Sequence, residues 1–205
     1  IDVAITSSLE LSITLNIVLD QVITQLETDT AAILLLNPHL QTLNFAAGRG
    51  FRTTAIQRTR LRLGESYAGR AALERQTVGI PDLSSDPLEP ALSANLSGEN
   101  FAAYFGTPLV AKGQIKGVLE VFHRSPLHPD EEWINFFEML ARQAAIAIDN
   151  ASLFAEMQPS NTELIMAYDA TIEGWSRALD LRDPETEAHT QRVTQLTEQL
   201  AKRLG

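Results

Sequence analysis

Residues 104–111 read YFGTPLVA and residues 114–123 read QIKGVLEVFH, two apolar runs separated only by Lys112 and Gly113. A connection that short pairs its flanking strands antiparallel, and Lys-Gly suits the tight hairpin turn the pairing requires. The chain is therefore built around an antiparallel sheet. Pro108 falls where an edge or a bulge is expected, because proline cannot donate to a ladder. Gly113 and Gly117 allow the tight turn and the close backbone approach that the hairpin needs.

Upstream, AAILLLN (31–37) and LNFAAG (43–48) flank the turn-forming PHLQ and predict a second hairpin, and TVGIPD (77–82) predicts a single strand. Leu11, Leu15, Val18, Leu19, Val22 and Leu26 recur at helical spacing behind the cap-competent Ser7 and Ser8. Residues 63–76 read as a short helix, residues 84–100 as a long loop with one helical turn, and a long helix begins near Pro129. Along that helix Trp133, Phe137, Leu140, Ala144, Ala147, Ala151 and Phe154 alternate steps of four and three, the spacing of a coiled-coil seam. The spacing fits a stripe laid on the sheet as well as one laid on a partner helix. A second stripe through Ile134, Ala141, Ala145 and Ile148 would serve the sheet if the first served a partner.

With 205 residues and 44% hydrophobic content, the chain can bury one good core and leaves a remainder too short for a second full domain. Sixteen basic against 26 acidic residues give a formal charge of −10, which argues against a surface for nucleic acid or an acidic membrane and for small-molecule or protein partners. The chain has no cysteine, so disulfides, thiolate nucleophiles, iron–sulfur clusters and thioether-linked chromophores are excluded. That usage agrees with a reducing compartment, and the cytoplasm is the expected location. No apolar run approaches the roughly 20 residues that span a bilayer. Since the first residue is Ile1 and not Met, a piece of a longer protein is expected.

The order helix, hairpin, helix, strand, long loop, two strands, helix resembles the GAF family of small-molecule sensor domains over about residues 1–157. LGESYAG (63–69) is similar to the family's Leu-Gly-x-Gly-x-x-Gly turn, IPDLSSD (80–86) to its strand and aspartate-bearing loop, TPLVAKGQIKGVLEVF (107–122) to its last hairpin, and LARQAAIAIDNASLF (140–154) to its closing helix. The resemblance implies an α+β fold, a GAF-type antiparallel sheet flanked by helices, with a long C-terminal signalling helix and a short helical extension. It also implies a ligand held between the sheet and the helices and long loop of one face. By position, the pocket candidates are Phe51, Tyr67, Asp82, Asn100, Phe101 and Tyr104. No basic residue lies between Arg75 and Lys112, whereas Asp82, Asp86, Glu89 and Glu99 do, so a phosphate there would depend on backbone amides or a helix N-terminus. The lysine motif of cyclic-nucleotide-binding members is absent, and without cysteine so are covalent bilin attachment and thiol chemistry. A haem or metal held by histidine would have to use His39, His123 or His128, and HRSPLHPDE lies where the last strand leaves the sheet, which suits surface histidines.

MQPSNTEL (157–164) predicts a break in the long helix, since Pro159 disfavours helical geometry in Gln158 and Ser160 with Glu163 forms a capping box. Beyond it Leu164, Tyr168, Ile172, Trp175 and Leu179 share one helical face, and Val193, Leu196, Leu200 and Leu204 repeat the pattern. Residues 167–205 resemble the first part of HD-GYP domains, metal-dependent phosphodiesterases that hydrolyse cyclic di-GMP. The resemblance implies that His189, in its His-x-x-Arg-Val pattern, is a first metal ligand and that Glu185, one turn earlier, is a second. The di- or trinuclear iron or manganese centre of that family also needs a His-Asp doublet, later histidines and a Gly-Tyr-Pro loop, none of which occurs by Gly205. Two ligands do not hold a hydrolytic metal, so no cofactor and no enzymatic activity are expected of this stretch, and Glu185 and His189 read as an exposed helical pair. The organisation expected is a GAF sensor at 1–157, a signalling helix at 158–181 and the first helical piece of an HD-GYP domain at 182–205. Its partners would be an unknown small-molecule ligand and a second copy, a homodimer formed through the N- and C-terminal helices. A purely structural dimerisation module is the alternative.

Overall fold

The computed structural model describes residues 2–84, 96, 98–182 and 184–204; of these, residues 2–10, 155, 156, 158–163, 179–182, 184–190 and 204 are described by backbone alone. The chain forms two compact units, Ile1–Ala155 and Glu156–Gly205.

The first unit contains one six-stranded antiparallel sheet of β1 (Thr30–Asn37), β2 (Thr42–Arg49), β3 (Arg60–Arg62), β4 (Val78–Ile80), β5 (Ala103–Ala111) and β6 (Gln114–His123), in the spatial order β3-β2-β1-β6-β5-β4. The β5–β6 hairpin sits near its centre. Lys112 and Gly113 both adopt positive φ, 50° and 74°, the twist that joins strands through a two-residue turn. A bulge lies between Leu109 and Val110, beside Pro108. Gly117 is required, because a Cβ there would lie 2.0 Å from the Leu34 carbonyl oxygen.

Strand alternation divides the interior into two layers. Ala31, Ile33, Phe105, Leu109, Leu119 and Val121 face helix α1 (Asp2–Leu26) and helix α3 (Glu131–Arg182). Ala32, Leu34, Tyr104, Val118 and Phe122 face helix α2 (Ser66–Glu74) and the loops around it. Asp130 caps α3, its Oδ1 accepting from the Trp133 amide at 2.8 Å.

Four features differ from the sequence expectation. Helix α1 begins at Asp2, so Ser7 and Ser8 lie inside it and not at its start; residues 2–6 contain neither Gly nor Pro to stop it. Strand β3 and the 3-10 helix Ala55–Arg58 were not anticipated, since RLR is too short and too charged to show a strand pattern. Both stripes of α3 turn inward: Phe137, Leu140 and Ala144 are buried in the same layer as Ala141, Ala145 and Ile148, and Trp133 packs edge-on against Phe105 at 5.3 Å. The seam is thus spent on the sheet as far as Ala144, and only Ala147, Ala151 and Phe154 remain at the surface. Finally, the helix does not break at Pro159 but continues to Arg182. An interior proline forfeits one backbone bond, whereas a break would require a second helix to nucleate, the costlier step. The next helix, α4, opens at Pro184, where a proline loses nothing because the first amides of a helix are unpaired anyway. Most of the expected 84–100 loop, with Asp86 and Glu89, lies outside the described residues.

Candidate functional site

The layer between the sheet and α2 is where a polar group sits deepest. On β6, Val118, Glu120 and Phe122 point to that side, and Glu120 is 1% exposed. Its cross-strand neighbours are Gly106 on β5 and Ala32 on β1, two of the smallest residues available. The room above Gly106 is taken by Tyr104, whose hydroxyl donates to Glu120 Oε1 at 3.0 Å. A Cβ on residue 106 would stand 2.2 Å from that hydroxyl, so the glycine is what lets the phenol reach across. Burial pushes the Glu120 carboxyl up to about 7. The same burial, with Glu120 beside it, holds the Tyr104 phenol well above its ordinary range.

Aromatic rings extend this pair outward. Tyr67 from α2 lies 5.3 Å from Tyr104, Tyr104 lies 5.3 Å from Phe122, and Phe122 stacks on Phe101 at 4.7 Å and meets Phe51 edge-on at 5.8 Å. Tyr67, Tyr104 and Phe122 are buried, while Phe51 and Phe101 are half-buried at the outer end. The guanidinium of Arg124 stands 5.2 Å over the Phe101 ring.

That outer end is fastened by a second buried acid. Glu99, fully buried, accepts from the amides of Arg52 at 3.0 Å and Thr53 at 2.8 Å and from the Thr53 hydroxyl at 2.9 Å, with Arg124 Nη2 at 3.4 Å. Although burial opposes ionisation, these donors together hold its carboxyl below the usual range.

On the opposite face, Asp149 of α3 is ion-paired with both lysines of the β5–β6 hairpin, Lys112 at 3.0 Å and Lys116 at 2.6 Å, which keep its carboxyl below the usual range. Two cavities also lie on that face. One of about 600 Å3 runs between β4 and α3 past Phe105, Thr77 and Glu138, and one of about 250 Å3 lies between α1 and α3 beside Val18, Gln143 and Ala147.

A family model for the GAF domain matches residues 10–148. The chain belongs to the GAF domain family. The GAF domain from an Acinetobacter phosphoenolpyruvate-protein phosphotransferase superposes with a TM-score of 0.60 at 23% identity, covering 74% of this chain and 93% of that one. The corresponding domain from Coxiella burnetii gives 0.61 at 20%, covering 76% and 95%. A GAF domain/HD domain protein from Geobacter sulfurreducens gives 0.58 at 15%, covering 70% and 94%. At these identities the structures share the fold, the α+β arrangement of a six-stranded antiparallel sheet with flanking helices. None of the curated proteins matches the chain. GAF domains are regulatory sensor domains of signalling proteins, and they are not catalytic.

Of the residues placed in the GAF pocket by position, the structure gathers four, Phe51, Tyr67, Phe101 and Tyr104, into one aromatic layer. It does not gather the other two. Asp82 forms a local turn, its Oδ1 accepting from the Ser84 amide at 2.9 Å and hydroxyl at 2.6 Å, which lowers its carboxyl. Asn100 is exposed with φ 57°, a left-handed turn position. Sequence reasoning passed over Glu120 and Phe122, although a lone acid in the apolar run GVLEVF was a signal in plain view.

Of the histidine candidates, His128 is exposed and His123 holds structure: its Nδ1 lies 3.1 Å from Ser125 Oγ and 3.2 Å from Asp29, and Nε2 lies 3.2 Å from the Glu27 carbonyl. His39 donates its amide to Asn37 Oδ1 in the β1–β2 turn. Among the described residues no group of three or more His, Asp or Glu could hold a metal, and no helix is long and apolar enough to cross a membrane. Glu185 and His189 lie on α4, and their side chains fall outside the described residues.

Proposed function

We propose that this GAF domain is the small-molecule sensor and dimerisation unit of a cytoplasmic bacterial signalling protein, and that the complete protein hydrolyses cyclic di-GMP through an HD-GYP domain beginning in residues 182–205. The observation that carries the sensing role is the buried Glu120–Tyr104 pair inside an aromatic layer whose outer rings, Phe51 and Phe101, are half-open. A core built for stability alone has no use for a carboxyl at 1% exposure, because burying it costs free energy that an apolar side chain would not.

Dimerisation is supported by what α1 and α3 leave uncovered. Ile13 and Ile17 on α1 and Ile146 on α3 are 51%, 54% and 57% exposed, Ile17 at the smaller cavity, and a second copy of the same helices would cover them. Asp149, held by Lys112 and Lys116, ties α3 to the sheet and gives a ligand-driven shift of the sheet a point of purchase on the helix. The phosphodiesterase assignment rests on the resemblance of residues 167–205 to HD-GYP domains, and the GAF/HD pairing of the Geobacter protein agrees with it. Glu185 and His189 would supply one corner of an iron or manganese centre in the complete domain, and no catalytic step is assigned to the present residues.

Native mass spectrometry and sedimentation velocity test the reading together. A chain that sediments as a dimer and carries or takes up a small molecule supports it. A ligand-free dimer that stays empty against a metabolite library identifies a structural dimerisation module, and a monomer at high concentration removes the dimer.

A further inference from the structure

We propose that the ligand of this GAF pocket is a small organic cation, an ammonium or amidinium on an apolar body, with its charge met by Glu120 and its body laid against Tyr67, Phe101 and Phe122. This rests on the pocket reading above and names its ligand class.

Three observations converge on a cation. First, Glu120 lies at the floor of an otherwise apolar layer and has one described hydrogen bond, from the Tyr104 hydroxyl at 3.0 Å. A carboxylate offers about four acceptor sites, so one phenol leaves acceptor capacity for a ligand donor. The titratable groups packed on that side are Tyr104 from β5 and, one ring beyond it, Tyr67 from α2, while β1 presents Ala32 and Leu34. None of these is a cation that would pair with the acid from within.

Second, the layer is lined by aromatic rings, whose faces carry the negative end of the quadrupole. The outermost, Phe101, already holds a cation, the Arg124 guanidinium 5.2 Å over its ring. Arg124 cannot itself slide inward, because its guanidinium is tied to the Gly50 carbonyl at 3.0 Å and to Glu99 at 3.4 Å. A positive ligand group would thus pass along rings that favour it and end on a carboxyl.

Third, the cation at the outer end, Arg124, is already committed to Glu99 and the Gly50 carbonyl, so an anion would have to displace Glu99 to use it. The chain offers no basic residue from Gln76 to Ala111, the stretch that supplies Phe101 and Tyr104. A neutral ligand would gain no ion pair from the acid.

Proton balance follows from the geometry. With its proton on, Glu120 is neutral in the closed layer; as the cation arrives, the proton leaves to solvent and the carboxylate pairs with the ligand, while Tyr104 keeps donating to it. Binding should therefore release up to one proton at the acid end of the range, and affinity should rise about tenfold from about pH 6 to about pH 8, about fivefold of it by about pH 7, then level off.

The test is isothermal titration of the chain with 2-phenylethylammonium, against the neutral 2-phenylethanol and the anionic 3-phenylpropanoate, at about pH 6, 7 and 8 in two buffers of different ionisation enthalpy. The expected result is one ammonium ion bound per chain with buffer-dependent heat at the lowest pH, at least tenfold weaker binding of the other two probes, and at least tenfold loss in Glu120→Gln. That variant keeps the Tyr104 acceptor and its folding is checked by circular dichroism. No ammonium binding, or binding that is undiminished in Glu120→Gln, overturns the cation assignment. If the alcohol or the carboxylate then binds and shifts the Tyr67 and Tyr104 ring resonances, the pocket stands and only the ligand class is lost. If none of the three binds and native mass spectrometry finds no co-purified molecule, the pocket reading falls with it.

Discussion

Glu120→Gln should make the protein more stable as pH rises, relative to the unsubstituted chain. Burial pushes the Glu120 carboxyl from an ordinary 4.5 to about 7. An acid whose folded value is raised contributes its full stability below the unfolded value and loses it as pH climbs to the folded one, because across that window the unfolded chain has given up a proton that the folded chain still holds. The loss totals about 3 kcal/mol. Glutamine carries no such loss, and its side-chain oxygen still accepts from Tyr104. Between about pH 5.5, where roughly 1.4 kcal/mol is already lost, and about pH 8.5, where the loss is complete, the stability of the variant relative to the parent should grow by about 2 kcal/mol.

Urea unfolding at the two pH values measures this directly. Trp133, packed against Phe105 and Phe137 in the first unit, reports by fluorescence and circular dichroism confirms the transition. Every other titrating group is common to both proteins and cancels in the difference. A gap that stays constant with pH would show that Glu120 ionises as readily in the folded chain as in the unfolded one. A gap that closes with rising pH would show that its charge is favoured, and in either case the account of an uncompensated buried acid would be wrong.

Ser66→Gly should raise stability by about 1 kcal/mol in the same assay, since Ser66 is fully buried at φ 58° and its hydroxyl finds no partner among the described residues; a lower midpoint would mean the hydroxyl is used. Glu99→Ala should cost about 3 kcal/mol at neutral pH by orphaning the Arg52 and Thr53 amides and Arg124, and the cost should shrink as pH falls, because an acid held below its usual range loses its contribution on protonation; a cost independent of pH down to about 4 would contradict this. Ala147→Glu, which puts a charge into the groove between α1 and α3, should convert a dimer to a monomer in sedimentation velocity, and an unchanged sedimentation coefficient would place the interface elsewhere. A chain extended through a His-Asp doublet and Gly-Tyr-Pro loop should hydrolyse cyclic di-GMP with added iron or manganese and lose most turnover on His189→Ala, whereas turnover that survives the substitution would remove His189 from the metal site.

The elements legible from sequence were those whose pattern is local. The two hairpins, α2 and the long helix each announce themselves through turn chemistry or periodicity within some 20 residues. What the pattern could not settle was which surface a stripe would cover: Phe137, Leu140 and Ala144 have the spacing of a partner-facing seam, and only the assembled sheet shows that they are spent on it. Pro159 shows the converse limit, where a local rule against helix is outweighed by the cost of starting another. Ser66 occupies the second glycine position of the LGESYAG turn and still adopts positive φ, so the tertiary setting imposes a conformation that its own side chain disfavours.

The candidate site was legible in its rings and not in its acid, and register is the reason. Counting outward from the Lys112–Gly113 turn pairs Ala111 with Gln114 and Val110 with Ile115, and continuing without interruption would set Gly106 opposite Leu119. The bulge between Leu109 and Val110 shifts the ladder by one residue, so that Gly106 faces Glu120 and Tyr104 faces Phe122. A shift of one residue moves each partner to the other face of a pleated strand, and here it decides whether the gap left by a glycine opens above a leucine or above a carboxyl. Pro108, which marks the neighbourhood of the bulge, cannot say on which side of it the extra residue falls. Only with that register fixed does the absence of a side chain at residue 106 explain how a tyrosine two residues away reaches a buried acid on the next strand.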